Sequence, residues 1–160
     1  MKRVSTLFLK IAVILIGIPI LALCIFLVPG IGRYAAELFP TIDYIKHFVV
    51  LYFYITAIPF YFALYQAFKL LNYIDRNTAF SELAVGALKK IKYCAIAISV
   101  LYVVGMPLFY FAAEADDAPG IILIGLVIIF ASMVIAVFAA VLERLLKNAI
   151  DIKSENDLTV

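Results

Sequence analysis

The sequence contains little of what catalysis, metal binding or covalent cross-linking requires. One histidine, His47, and two cysteines, Cys24 and Cys94, occur among its 160 residues. In the topology derived below, the cysteines lie at opposite depths of a bilayer, well beyond the ~7 Å between Cα atoms that a disulfide permits. The chain has no HExxH, GxSxG or CxxC motif and no Walker-type glycine loop. We therefore predict a non-enzymatic protein without a catalytic, cofactor-binding or metal site.

Charge is also scarce, and it lies outside the middle of the hydrophobic runs. Charged residues make up 15% of the chain, whereas an ordinary soluble domain has about 25%. Charge within a membrane span is the usual mark of an ion or proton pathway. Its absence argues against a proton-coupled transporter, although a pathway for a neutral solute stays open.

The chain has four long apolar runs instead. Hydrophobic residues make up 67% of the sequence, and the mean hydropathy is +1.14. Each run has about twenty residues, which is enough for a helix to cross ~30 Å of hydrocarbon. We predict an all-α fold, a four-transmembrane-helix bundle in one integral membrane domain, with spans at approximately 7–28, 47–68, 93–112 and 121–142.

Helix ends are indicated by breakers and caps. Pro29-Gly30 is expected to stop the first helix. The apolar run of this helix is longer than that of a signal peptide, so we predict that the helix is retained. No breaker separates the amphipathic residues after the N-cap candidate Ser81 from the third run. This predicts one continuous helix over about 81–112. Residues 154–160 are polar, and we expect a frayed tail there.

The distribution of basic residues predicts the orientation. Eleven of the thirteen Lys and Arg residues lie before the first run's middle, between the second and third runs, or after the fourth. Because cytoplasmic loops carry an excess of Lys and Arg, we predict that both termini lie inside. Segment 69–92 and extension 143–160 would then be cytosolic, with helices 3 and 4 extended into the cytosol. Glu143-Arg144 would form an interfacial pair or a local helix contact at the inner rim.

The cytosolic segments suggest a regulator or scaffold that binds a soluble partner. Two structured extensions on adjacent helices face the cytosol in this topology, whereas the outer face is almost featureless. The lysines also suit anionic lipid, although topology alone explains them. Candidate partner-binding residues combine turn, apolar and basic side chains, namely Asp75, Asn77, Phe80, Ser81, Lys89, Lys90, Arg144 and Lys147.

A small transporter or channel subunit for an unidentified solute is the alternative. Pro19, Pro59 and Pro107 each follow a small residue by two positions within a hydrophobic run. Such prolines either kink helices that pack together or form the hinge of a broken-helix transport site. Prolines that face lipid would remove the main support for the transporter.

Two segments resemble a known family. The sequences IDRNTAFS (74–81) and LKKIK (88–92), with the ending LLKNA (145–149) and ENDLTV (155–160), resemble signatures of the YoaS-like family of uncharacterised bacterial four-helix membrane proteins. The resemblance implies a bacterial cytoplasmic-membrane protein of unassigned activity. It also implies a small helix-turn-helix regulator as a partner, because members are often encoded beside one. The chain itself is not expected to bind nucleic acid directly, and its oligomeric state is left open.

Overall fold

Four helices and no strand make up residues 2–159, which the computed structural model describes. Helix α1 covers Lys2–Leu38, α2 covers Ile45–Asp75, α3 covers Glu82–Ala115 and α4 covers Gly120–Thr159. All four are long and apolar enough to cross a membrane, so the all-helical prediction is confirmed. Each predicted span lies within one helix. At ~1.5 Å per residue, the 34 residues of α3 and the 40 residues of α4 are much longer than a bilayer core requires.

The helices pack in chain order, as a row of two antiparallel hairpins. Helix α1 packs on α2, α2 on α3 and α3 on α4, while α1 touches α3 only slightly and α4 touches neither α1 nor α2 within residues 2–159. The start of α1, the α2–α3 turn and the end of α4 therefore lie at one end, which we call the terminal end. Most large apolar side chains in the row are exposed, as expected for helices surrounded by lipid.

The first helix continues through Pro29-Gly30, so the expected stop there is wrong. A proline within a helix removes one backbone hydrogen bond, but the residues that follow regain packing energy against α2. A Cβ on Gly32 would lie 2.6 Å from Cγ2 of Val50, so the two backbones approach closely there. Next to this contact, Ala35 packs in a buried cluster with Ile45 and Val49. Helix–helix packing thus outweighs the local breaker.

Both connections at the C-terminal ends of α2 and α3 are Schellman motifs. Asn77 and Asp117 have φ values of 58° and 50°, in the left-handed region that such caps require. The amide of Thr78 donates to the carbonyl of Tyr73 at 2.8 Å, and that of Ala118 donates to the carbonyl of Ala113 at 2.9 Å. These bonds satisfy helix-end carbonyls and allow very short turns.

Helix α3 begins where the sequence predicts. Ser81 is its N-cap, and its hydroxyl accepts a long bond of 3.4 Å from the amide of Ala84. The continuous helix expected over 81–112 is confirmed by Glu82–Ala115.

Helix α4 continues to Thr159, so the prediction of a frayed tail is wrong for residues 154–159. Val160 lies outside the described residues. No glycine or proline follows Gly125, and the sequence after it therefore contains no strong breaker.

Candidate functional site

At the terminal end, an ion pair closes the hairpin of α1 and α2. The Lys10 ammonium lies 2.6 Å from the carboxylate of Asp75, and the hydroxyl of Thr6 also donates to Asp75. Asp75 is the last residue of α2, where a negative charge is unfavourable to the helix dipole. Lys10 and Thr6 offset this cost. Asp75 was predicted to bind a partner, yet the structure gives it bonds to α1.

The turn after Asp75 uses several motif residues for its own structure. Asn77 supplies the left-handed cap, and the hydroxyl of Thr78 donates to the carbonyl of Tyr73 at 2.9 Å. Ser81 caps α3 and also donates to the carbonyl of Thr78 at 2.6 Å. Turn formation therefore accounts for the residues at positions 77, 78 and 81 of the segment 74–81. Among the predicted residues in this segment, Phe80 is a large apolar side chain that is nevertheless 57% exposed.

A second ion pair closes the hairpin of α3 and α4. The Lys92 ammonium lies 2.9 Å from Oε2 of Glu143, and Glu143 is only 8% exposed. Hydrogen bonding to the Glu143 carboxylate raises the pKa of Lys92, so this lysine is firmly protonated at neutral pH. The partner of Glu143 is therefore Lys92 and not the neighbouring Arg144.

The register of the hairpin explains this pairing. Lys92 precedes Asp117 by 25 residues, and Glu143 follows Ala118 by 25 residues. Residues equally distant from the turn of an antiparallel hairpin lie at the same height, because both helices rise ~1.5 Å per residue. Adjacent helical residues such as Glu143 and Arg144 do not face each other. The equal spacing was the sequence signal that could have identified both Lys92 and Glu143.

A basic cavity surrounds the second ion pair. It has a volume of about 380 Å³ and is lined by Lys92, Ala140, Val141, Glu143, Arg144 and Lys147. Two predicted residues, Arg144 and Lys147, thus come together, and both are exposed. Neither forms an ion pair with any residue in the 2–159 range.

Lys89 and Lys90 do not line that cavity but are exposed on α3. Leu83, which was not among the predicted residues, is 62% exposed. Leu83 and Lys90 are seven residues apart, so they lie on one face of the helix. Gly86 lies between them, and a Cβ there would meet no atom within 4 Å. We call the side of α3 that carries Leu83, Gly86 and Lys90, together with Phe80 just before the helix, the α3 face.

Tyrosines of α2 hold the interior of the row together. The hydroxyl of Tyr61 donates to the carbonyl of Gly17 at 2.8 Å, and that of Tyr52 donates to the carbonyl of Leu101 at 2.8 Å. The aromatic rings of this helix also pack edge to face, as Tyr52 does against Tyr102 with centroids 5.9 Å apart. The aromatic content of α2 therefore serves contacts with both neighbouring helices.

The prolines give the transporter interpretation little support. Pro19 and Pro107 are exposed on the outside of the row, and Pro59 is half-buried. The basic cavity and a second one, of about 450 Å³ beside Lys10 and Asp75, both lie at the terminal end. Neither cavity extends to a point between Pro19 and Pro59. Among the described residues, no group of three His, Cys, Asp or Glu side chains is placed to hold a metal ion.

Comparison with known proteins gives two matches. The family model described as "Protein of unknown function (DUF2975)" matches residues 30–160. The chain is also 76% identical, over 160 residues and 100% of both chains, to "Uncharacterized membrane protein YoaS" of Bacillus subtilis (strain 168). No solved structure matches the chain. The name of the Bacillus subtilis relative describes a membrane protein, and neither description states an activity, ligand or partner.

Proposed function

The chain belongs to the family described as "Protein of unknown function (DUF2975)", and we propose that it is a non-enzymatic membrane regulator or scaffold. Its resemblance to YoaS-like membrane proteins is confirmed, and it is a membrane protein with four apolar helices. In the proposal, the terminal end faces the cytosol and binds a soluble protein there. The activity lies in that contact and not in a chemical reaction.

The observation that carries the proposal is the long paired extension of α3 and α4. Both helices run well past their predicted spans, and the Lys92–Glu143 pair joins them at the point where the spans end. The Ser81 cap and the Schellman turn before it hold the free end of α3 in one conformation. A surface on such fixed helices can bind a partner without a large ordering cost.

The side chains of the α3 face indicate the chemistry of the partner. Phe80 and Leu83 are large and apolar, yet they are 57% and 62% exposed. Lys89 and Lys90 are exposed cations on the same part of α3. We expect a partner that offers an apolar anchor flanked by carboxylates, because exposed apolar residues with a charged rim are typical of protein interfaces. The family resemblance implies a small helix-turn-helix regulator as this partner. An acidic surface of the regulator would contact the α3 face. Arg144 and Lys147 would lie beside this surface.

Site-specific photo-crosslinking in intact membranes tests the proposal. A benzophenone side chain is introduced at Phe80 or Leu83, and the products are identified by mass spectrometry. Tyr44, which is 68% exposed at the opposite end, carries the same probe as the matched control. We expect one soluble protein to cross-link from both α3 positions and not from Tyr44.

The combined variant Lys89→Gln/Lys90→Gln then tests whether the cations contribute. It should reduce the yield of that cross-link from Leu83 without changing the amount of protein in the membrane. Cross-links to lipid or to copies of the chain alone, or the same soluble proteins from Tyr44 as from the α3 face, would refute the proposal.

A further inference from the structure

The basic cavity between α3 and α4 has the features of a lipid headgroup site. We propose that it binds the phosphate of an anionic phospholipid, with Arg144 and Lys147 as its principal ligands. This goes beyond the proposed partner surface, because the lipid site needs no soluble protein.

Basic side chains outnumber carboxylates in the lining of the cavity. Lys92, Arg144 and Lys147 line it together with a single carboxylate, that of Glu143. Lys92 is engaged by Glu143 at 2.9 Å, which leaves Arg144 and Lys147 as the charges that a ligand can neutralise. They are three residues apart on α4, so they lie on the same side of the helix. Arg and Lys are the usual ligands of phosphate groups, the former in a bidentate geometry.

The height of the cavity also suits a headgroup. Lys92 and Glu143 are the first residues outside the predicted spans 93–112 and 121–142, so the cavity lies where hydrocarbon gives way to headgroups. Basic pockets between transmembrane helices at this level bind anionic lipid headgroups in other proteins.

The apolar part of the lining favours a lipid over free phosphate. Ala140 and Val141 complete the wall on the side of the membrane. Val141 is 48% exposed, and Val137 and Phe138, one turn earlier on α4, are 62% and 65% exposed. An acyl chain attached to the bound phosphate would lie along these side chains. A zwitterionic lipid would bring its own ammonium group towards Arg144 and Lys147 and should bind less well.

Native mass spectrometry of the full-length protein, released from nanodiscs into detergent, tests this site. The protein is titrated with palmitoyl-oleoyl phosphatidylglycerol, with the phosphatidylcholine of the same chains, or with inorganic phosphate. The variant Arg144→Gln/Lys147→Gln is compared with Lys89→Gln/Lys90→Gln, which removes the same charge at the same end but outside the cavity. A cation that contacts the headgroup is worth about fivefold in affinity, so we expect the first variant to bind phosphatidylglycerol roughly 25-fold more weakly. The control should change by less than about twofold.

Three results would overturn the inference. Equal weakening by the two variants would mean that general surface charge attracts the lipid. Equal binding of phosphatidylcholine and phosphatidylglycerol would remove the role of the cations. Inorganic phosphate that displaces phosphatidylglycerol at equal concentration would mean that the apolar wall contributes nothing and that the ligand is free phosphate.

If the double variant cannot be purified, the single variants test the same site. Arg144→Gln and Lys147→Gln should each lose about fivefold in affinity for phosphatidylglycerol, while Arg144→Lys should retain most of the binding. Because purified protein and lipid are the only components, a negative result here leaves the soluble-partner proposal untouched. Likewise, failure of the photo-crosslinking experiment would not affect the lipid titration.

Discussion

Two glycines of α3 show how differently the same residue type is used along one helix. A Cβ on Gly105 would lie 2.1 Å from the hydroxyl of Tyr52, whereas a Cβ on Gly86 would meet nothing within 4 Å. Gly105 therefore makes room for the tyrosine that donates to the carbonyl of Leu101. Gly86 lies on the open α3 face and has no packing role.

Substitution of these glycines by alanine should change stability in opposite directions. Gly105→Ala gains helix propensity but displaces Tyr52, and overpacking of this kind costs about 1–3 kcal/mol. Gly86→Ala should stabilise the protein by up to ~1 kcal/mol, because alanine is the better helix former. Unfolding in mixed micelles with increasing dodecyl sulfate measures both. Equal effects of the two substitutions would mean that the contact between Gly105 and Tyr52 is not formed.

Asn77 sets the conformation of the turn between the two hairpins. Its φ of 58° costs a residue with a Cβ roughly 1–2 kcal/mol, a cost that asparagine bears better than most and glycine avoids. We expect Asn77→Ala to lower the free energy of unfolding by about 1 kcal/mol and Asn77→Gly to leave it unchanged or to raise it. Arg76→Ala, one residue earlier, is the matched control, and the same unfolding assay applies. Loss of stability in Asn77→Gly would show that the side chain of Asn77 and not its backbone holds the turn.

At the scale of whole helices, two hairpins are each closed at the terminal end by a lysine and a carboxylate. Lys10 pairs with Asp75 across α1 and α2, and Lys92 pairs with Glu143 across α3 and α4. Both pairs are partly shielded from water, so the removal of one partner leaves a charge without its counter-ion. Each pair helps to fix the register of its two helices, and the second pair lies at the level where the predicted spans 93–112 and 121–142 end.

Removal of one partner from the second pair should cost more than removal of both. Lys92→Gln leaves the nearly buried carboxylate of Glu143 uncompensated, and Glu143→Gln removes the negative charge that balances the Lys92 ammonium. The double variant Lys92→Gln/Glu143→Gln should therefore be less destabilised than either single variant, and a double-mutant cycle of unfolding free energies measures the coupling. Additive single effects would argue against a direct interaction.

The helices themselves could largely be predicted, but the contacts between them could not. The continuous α3 and its cap at Ser81 follow from local signals, since no breaker separates the amphipathic residues after that serine from the third hydrophobic run. Pro29-Gly30 was misinterpreted because the packing of Gly32 and Ala35 on α2 is a tertiary effect that no local signal carries. The basic cavity was missed for a similar reason: it exists only once α3 and α4 are placed side by side. Arg144 and Lys147 were predicted as partner-binding residues, which stays a prediction, and the sequence did not indicate that they share a cavity with Lys92.

The whole molecule is an open row in which each helix packs mainly on its neighbours in the chain. No large side chain among residues 4–158 is less than 2% exposed, and many of the most deeply buried positions on α3 and α4 are small, such as Ala84, Ala87 and Ala139. Close packing of small residues is how membrane helices associate when lipid competes for apolar surface. The row leaves two broad sides for lipid and has its charged side chains at the two ends.

The two ends differ in charge, and this difference predicts how the molecule lies in the membrane. The terminal end has eleven of the thirteen Lys and Arg residues of the sequence, while the turn between α3 and α4 carries Glu114, Asp116 and Asp117 and no basic residue. Because positively charged segments stay on the cytoplasmic side, the terminal end should face the cytosol. The start of α1, the end of α4 and the α2–α3 turn share that end, so they must all lie on the same side.

Cysteine labelling in cells tests this orientation. In a background with Cys24→Ala and Cys94→Ala, single cysteines replace Asp43 at the opposite end, or Lys89 or Ser154 at the terminal end; all three positions are exposed. A membrane-impermeant maleimide should label Asp43→Cys in intact cells and the other two only after permeabilisation. Denatured samples, in which all three cysteines must react, control for the amount of protein. Labelling of Lys89→Cys or Ser154→Cys in intact cells would place the α3 face and the basic cavity outside, and would rule out a cytosolic partner.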